Sequence, residues 1–240
     1  MLNCTFEIDE EICKALPEIS VFLGVIENID VEKIDTDGIE NFLEEAWELA
    51  RGNISQYSNV QSHPNIQLWR KAFQSLKIPT KKYTSSVESL SKRVAKENSS
   101  PFFINPLVDF YNALSLKYLI PFGGFDLNTD IGKSMVLRFS KESDTFFALD
   151  AKAPINLPPG EPLYASGNIC TTRFINYKQS REGLIESTTT NICLVAEVLN
   201  GYPLEQLNAM QYEFKRLCLE FLHVEASIFI VNENNPILSF

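Results

Sequence analysis

Two periodicities divide this chain at one place, Gly123-Gly124, and that division limits the folds open to it. Before the glycines, apolar residues recur at helical spacing. Ile39, Phe42, Leu43, Ala46 and Trp47 predict an acidic helix from about Asp37, with Gly52 as its natural stop. Pro64 suits the first position of a second helix carrying Trp69, Ala72, Phe73 and Leu76, which ends at Ile78-Pro79. Ser85 with Glu88 three residues on is a capping-box pattern, followed by an apolar stripe of Val87, Leu90 and Val94. Asn105 and Pro106 open a further helix with Leu107, Tyr111, Leu114 and Tyr118 on one stripe. A strand from Val21 to Ile26 precedes them all. After the glycines the pattern turns to short apolar-rich strands: Met135 to Ser140, Thr145 to Leu149, Pro162 to Ala165, Ile169 to Ile175, Asn191 to Leu199 and Ser227 to Val231. One late helix starts at Pro203. Helices followed by strands predict an α+β fold rather than alternating βαβ units.

A chain of 240 residues, 45% hydrophobic, can build a sizeable core. The first residues lack the basic and apolar runs of a secretory signal, and no segment reaches the roughly 20 apolar residues that span a bilayer. The expectation is a cytoplasmic protein with no membrane partner. Cys4, Cys13, Cys170, Cys193 and Cys218 are odd in number, scattered and free of any CxxC pair, which argues against a disulfide framework and against zinc. No metal and no cofactor is expected.

The net charge is −10, yet its distribution is uneven. Residues 1–50 hold fourteen acids against Lys14 and Lys33, whereas residues 70–96 hold eight cations against the single Glu88. A basic stretch inside an acidic chain is a candidate footprint for a polyanion, because local field matters more than total charge. Two solvated helix faces would read the same way. On the helix opened by Asn105, the polar residues Asn105, Asp109 and Asn112 fall on one face, as either an exposed surface or the polar floor of a pocket.

Residues 101–140 narrow the choice. Asn105-Pro106-Leu107-Val108-Asp109, Asn112 before Ser115-Leu116-Lys117-Tyr118, Pro121 with Gly123-Gly124-Phe125-Asp126-Leu127, and Leu137-Arg138 follow one another in order. His63-Pro64 before Trp69-Arg70, Ser85 to Glu88 with Arg93, Pro159-Gly160-Glu161, Cys170, Tyr177 to Ser180, and Thr188 to Asn191 extend the pattern. From about residue 60 to 222 the chain resembles the tRNA-editing domain in the beta subunit of phenylalanyl-tRNA synthetase, and still more the stand-alone bacterial proteins built on that domain.

The resemblance implies a mixed-sheet α+β module with an N-terminal helical extension. Residues 1–60 would form an acidic extension packed on a tRNA-binding, editing-like domain of residues 61–240, the whole one compact unit and a monomer. It implies binding of the 3′ aminoacyl end of tRNA and hydrolysis in trans of the ester of a mischarged tRNA by an attacking water. Asn112, Asp126 and Arg173 would serve catalysis. Asn105, Gly123, Gly124, Arg138, Glu161 and Tyr177 would meet substrate, with Tyr177 able to stack on the terminal adenine. Lys81, Lys82, Arg93 and Lys178 would meet the tRNA backbone. Arg138 and Arg173 have a rival role, internal pairing with an acid such as Glu161. In two places the chain departs from the synthetase domain: Gly123 stands where that domain has a histidine, and Val195 where it has a glutamate. A non-catalytic tRNA binder, and an amino-acid-binding protein or small-molecule hydrolase reusing the pocket, therefore stay open beside the deacylase.

Overall fold

A computed structural model describes residues 3–240. β1 (Thr5–Ile8), α1 (Glu10–Ala15) and β2 (Ser20–Ile26) precede the helices α2 (Thr36–Ile54), α3 (Pro64–Ser75), α4 (Ser86–Val94) and α5 (Pro106–Tyr118). The second half holds β3 (Gly123–Asp126), α6 (Asp130–Lys133), β4 (Ser134–Phe139), β5 (Thr145–Phe146), β6 (Ile155–Asn156), β7 (Pro162–Ser166), β8 (Ile169–Arg173) and β9 (Lys178–Gln179). It closes with β10 (Ile192–Val198), α7 (Leu204–Leu217), β11 (Ala226–Asn232) and β12 (Ile237–Ser239). The fold is α+β with mixed sheets, as the order of periodicities predicts.

The strands form two sheets. One is antiparallel, in the order β11-β2-β10-β3; the other runs β12-β1-β4-β7-β8-β5-β6 with β9 on β8, and is parallel at β1·β4 and β5·β8. The acidic first 60 residues supply strands to both: β1 lies between β12 and β4, and β2 between β11 and β10. α7 packs on the smaller sheet through Phe214, whose ring meets Phe22 at 5.2 Å. A Cβ at Gly24 would fall 2.3 Å from Phe214 Cζ, so only glycine lets the ring lie on β2. α2 packs along α5, with Trp47 buried between them and the chain from Phe102.

Local signals place the helices well. His63, Ser85 and Asn105 each cap a helix through a side-chain acceptor, and Pro64 and Pro106 occupy first-turn positions. Four expectations change. The strand expected over Thr145 to Leu149 is only β5, Thr145–Phe146. α2 does not stop at Gly52 but runs to Ile54, because Ile54 continues the buried stripe of Trp47 and Ala50 while Gly52 faces open space. The Ser85 box is only half made: Ser85 Oγ accepts from the Glu88 N–H at 3.3 Å, but the buried Glu88 carboxylate turns to Arg70 at 2.8 Å and Lys92 at 2.7 Å. The strand from Ile169 ends at Arg173, since Phe174 and Ile175 take φ of 48° and 66°. Among the described residues the cysteines are buried free thiols, and no helix is long and apolar enough to cross a membrane.

Candidate functional site

The seam between the two sheets holds the site. β10 is apolar throughout except for Glu197, which is 2% exposed. Tyr164, from β7 of the larger sheet, donates its phenol to Glu197 Oε1 at 2.8 Å, and Asn176 Nδ2 donates to Oε2 at 3.0 Å. Burial pushes the Glu197 carboxyl up to about 7, against the opposing effect of those two bonds. The same carboxyl lines a hollow of about 90 Å³ whose walls include Ser86, Gly123, Tyr164, Asn176 and Val195.

Strand alternation explains the wall. Gly123 pairs with Val195 across β3 and β10, and Glu197 stands two residues further along the same face. A Cβ on Gly123 would meet only Val195 Cγ2, at 3.9 Å, so this side of the pair is open. Gly124 points the other way, where a Cβ would lie 2.5 Å from Ile185 Cδ1 and 2.7 Å from Leu194 Cδ2. The first glycine therefore leaves space in the hollow, and the second permits core packing.

The opposite wall comes from the turn between β8 and β9. Its left-handed Phe174 and Ile175 are unusual, Ile175 most of all, since a β-branched side chain crowds its own backbone at positive φ. Such residues cost on the order of 1–3 kcal/mol each. The turn is tied down by Ile175 N–H donating to the Pro162 carbonyl at 3.1 Å and by Ser86 N–H donating to the Asn176 carbonyl at 2.8 Å. That geometry brings Asn176 and Tyr177 over the hollow. Two polar atoms there are buried with no partner among the described residues, Ser86 Oγ and Asn176 Oδ1.

A second groove, of about 280 Å³, adjoins the hollow and shares Ser86, Phe122 and Tyr177 with it. Asn112 of α5 lines this groove, as does Arg93 of α4. The Arg93 guanidinium lies 4.7 Å from the centre of the Phe102 ring, and Tyr83 meets Phe174 and Tyr177 at 4.4 and 5.0 Å. Lys82 lies 5.0 Å from the Tyr83 ring. Lys71, Lys77, Lys81, Lys82, Arg93 and Lys96 are exposed and make no salt bridge among the described residues, whereas Arg70 and Lys92 are engaged by Glu88.

The structure thus gathers Gly123, Gly124, Tyr177 and Lys178 at the hollow and Asn112 and Arg93 at the groove. It holds the others elsewhere. Arg173 forms a two-point pair with Glu161 at 2.6 and 2.9 Å, over the rings of Phe146 and Phe174. Arg138 is buried on Asp144 at 2.6 and 2.9 Å. Asp126 accepts from Asn128 N–H at 2.8 Å and from Thr189 Oγ1 at 3.0 Å, a turn-closing arrangement outside the hollow. Asn105 accepts from Val108 N–H and donates to the Ile185 carbonyl. Lys178 lines the hollow but its ammonium sits on Asp150 at 2.9 Å. Asp109 lies buried under the Ile104 N–H, so of the polar face on α5 only Asn112 reaches a groove.

Tyr164, Asn176, Glu197 and Ser86 were not among the residues expected from sequence. For Glu197 a signal existed: an acid inside a continuous apolar strand must find donors or lose its charge. No such signal marks Asn176, whose position depends on a turn without glycine.

No curated protein matches the chain. Among solved structures, an N-terminal fragment of the phenylalanyl-tRNA synthetase beta-subunit from Pyrococcus horikoshii is similar at 13% identity and a TM-score of 0.44, over 98% of this chain and 53% of that one. The chain therefore spans about half the length of that fragment. The family model described as the B3/4 domain matches residues 68–216, more than half of the chain. The chain belongs to the B3/4 domain family, the domain found in the beta subunit of phenylalanyl-tRNA synthetase.

Proposed function

We propose that the chain binds the 3′ aminoacyl end of tRNA and hydrolyses the ester bond of mischarged tRNA in trans, as a cytoplasmic monomer without metal or cofactor. The observation that carries this reading is the paired cleft, an inner hollow joined through Ser86, Phe122 and Tyr177 to an outer groove. The hollow is small and polar at one end, the scale of an aminoacyl group. The groove offers flat partners for a base: Tyr177, and Phe102 with the Arg93 guanidinium over it. Exposed cations on and around α3 and α4, Lys81 and Lys82 among them, supply backbone attraction.

The chemistry asked of the protein is modest. An aminoacyl ester is already activated, and holding it beside a positioned water removes much of the entropic barrier. Asn112, whose amide makes no hydrogen bond among the described residues, faces the groove where such a water would stand. Gly123 and Val195 remove the histidine and glutamate of the synthetase domain, but Glu197 restores an acid on the same face of β10. Its place, displaced along the strand, favours an amino-acid preference different from that of the synthetase domain.

The test is release of amino acid from a panel of mischarged tRNAs. Release slowed tenfold or more by Asn112→Ala or Glu197→Gln supports the reading. Salt-sensitive binding without release by any member supports a non-catalytic tRNA binder, and absence of tRNA binding at low salt removes both.

A further inference from the structure

The polar end of the hollow is rich in acceptors and holds no free cation. Its amide and phenol donors are engaged, the Tyr164 phenol and Asn176 Nδ2 on Glu197 and Gln179 Nε2 on the Gly124 carbonyl at 2.9 Å, while the hydroxyls of Ser86, Thr172 and Tyr177 can donate or accept. Lys178, the lining cation, is held outward by Asp150. Its acceptors are open. Asn176 is 8% exposed, and its Oδ1 has no partner. Ser86 Oγ, buried and equally unpartnered, belongs to the residue whose N–H is already fixed on the Asn176 carbonyl. Each Glu197 oxygen receives one donor and keeps a second lone pair. A buried carbonyl without a protein donor is an acceptor open to a ligand.

An arrangement of acceptors without a free cation repels carboxylate and phosphate and attracts a group carrying several N–H donors. We propose that Glu197, Asn176 and Ser86 form a binding site for a protonated primary amine. On the reading above, which this inference rests on for its biological source, the amine is the α-ammonium of the aminoacyl ester or an ammonium on its side chain. Where the amine is the α-ammonium, the site acts as a filter. It admits an ester with a free amine and rejects its N-acylated counterpart, which has lost both the charge and two donors.

Proton traffic follows from the same geometry. The titratable or charged groups that line the hollow with Glu197 are Tyr164 from β7, Tyr177 from the turn and Lys178 from β9, whose ammonium is on Asp150; Cys193 on the same strand acts on Tyr164. Tyr164 is pushed far above its ordinary range and Cys193 is raised, so neither ionises near neutral pH. Glu197 is the group that changes charge there. An ammonium arriving at pH 6 must expel the Glu197 proton, whereas near pH 8 it meets a carboxylate already formed.

Calorimetry on the full chain without RNA tests this with L-alaninamide and glycinamide against their hydroxy isosteres, L-lactamide and glycolamide. The expected result is binding of the amides at least tenfold tighter than the isosteres. About one proton should be released to buffer at pH 6, and about half a proton taken up at pH 8, where an α-amine is roughly half deprotonated in solution. Glu197→Gln should abolish the release, and Ser86→Ala should weaken the amides several-fold while leaving the isosteres unchanged. Equal affinity for amines and isosteres, or no binding of any of the four, overturns the proposal, as does amide binding with no proton released at pH 6. Nα-acetyl-L-alaninamide, with no amine, and Nα-acetyl-L-lysinamide, with one on the side chain alone, separate the two sources: binding of the second assigns the site to a side-chain ammonium, and failure of both assigns it to the α-ammonium. Because no RNA is present, loss of tRNA deacylation with amine binding intact would defeat the functional reading and spare this one.

Discussion

Tyr164 and Glu197 face each other from different sheets, and the 2.8 Å bond between them joins the sheets at the hollow. Phe125 on β3 and Phe6 on β1 pack their rings on Tyr164 at 5.6 and 5.9 Å, which fixes the phenol where Glu197 needs it. The carboxyl is thus held by a phenol of the larger sheet, itself packed against a ring from each sheet, while its own backbone belongs to the smaller.

Through two buried carboxyls, stability should fall as pH rises through 6 and 7, a decline read in a His63→Asn background that removes the opposing effect of the imidazole. Glu197, raised to about 7, and Asp109, raised to about 6, both favour their protonated forms in the fold. Their contributions are complete below the unfolded carboxylate range and are lost as pH passes 6 and then 7. Glu197→Gln keeps the shape, and an amide flip of Asn176 lets its free Oδ1 accept from the new amide. The variant should melt several degrees higher than the parent at pH 8 and show a shallower decline, leaving the Asp109 part, as thermal unfolding at stepped pH would reveal.

The twin glycines should respond in opposite ways. Gly124→Ala drives a methyl into Ile185 and Leu194 and should cost about 1–3 kcal/mol in chemical denaturation. Gly123→Ala meets only Val195 at ordinary contact distance and should stay within about 0.5 kcal/mol of the parent. The added methyl narrows the hollow, so substrate turnover should suffer where folding does not.

His63 sets an acid limit of its own. Its Nδ1 accepts from the Asn65 N–H at 3.2 Å to cap α3, and burial lowers its pKa. A depressed imidazole pKa means the neutral ring is favoured in the fold. The contribution is present above the unfolded value and lost as pH drops through the folded one. His63→Asn keeps an acceptor and should remove this acid sensitivity, while His63→Ala should cost about 1 kcal/mol at neutral pH.

Binding of uncharged tRNA should weaken with salt, and Lys82→Ala should reduce the slope of log affinity against log salt by about 1 if Lys82 meets one phosphate. Arg70→Ala would act differently, since Arg70 is engaged by the buried Glu88. It should lower stability more than the salt slope, and filter binding beside denaturation would separate the two.

Much of this architecture is legible because its signals are local. Asn105, Ser85 and Pro64 announce helix starts through neighbours only three residues away, and the apolar stripe of α2 is visible without knowing what covers it. β1, β6, β9 and β12 are two to four residues long and exist as strands only through distant partners, so no period distinguishes them. The site divides the same way. Gly123 and Tyr177 stand in quotable motifs, while Asn176 depends on the backbone reversal at Phe174 and Ile175, residues whose types argue for continued strand. Arg173 and Arg138 offered fork-shaped donors with no way to tell substrate from Glu161 or Asp144 until the partners were placed.

The threading of β2 has a consequence for how the molecule comes into being. Ile26 stands beside Ile192 on one side and Ala226 on the other, so a ribbon apolar from Val21 onward waits for partners made much later. Loops of that size close slowly, and an unpaired apolar edge invites other chains meanwhile. A fragment cut to residues 68–216 would lack β2 altogether, leaving β10 bare on the flank opposite β3 and Glu197 without the strand behind it. Newly made chains should accordingly be exposed to aggregation until translation has passed β11.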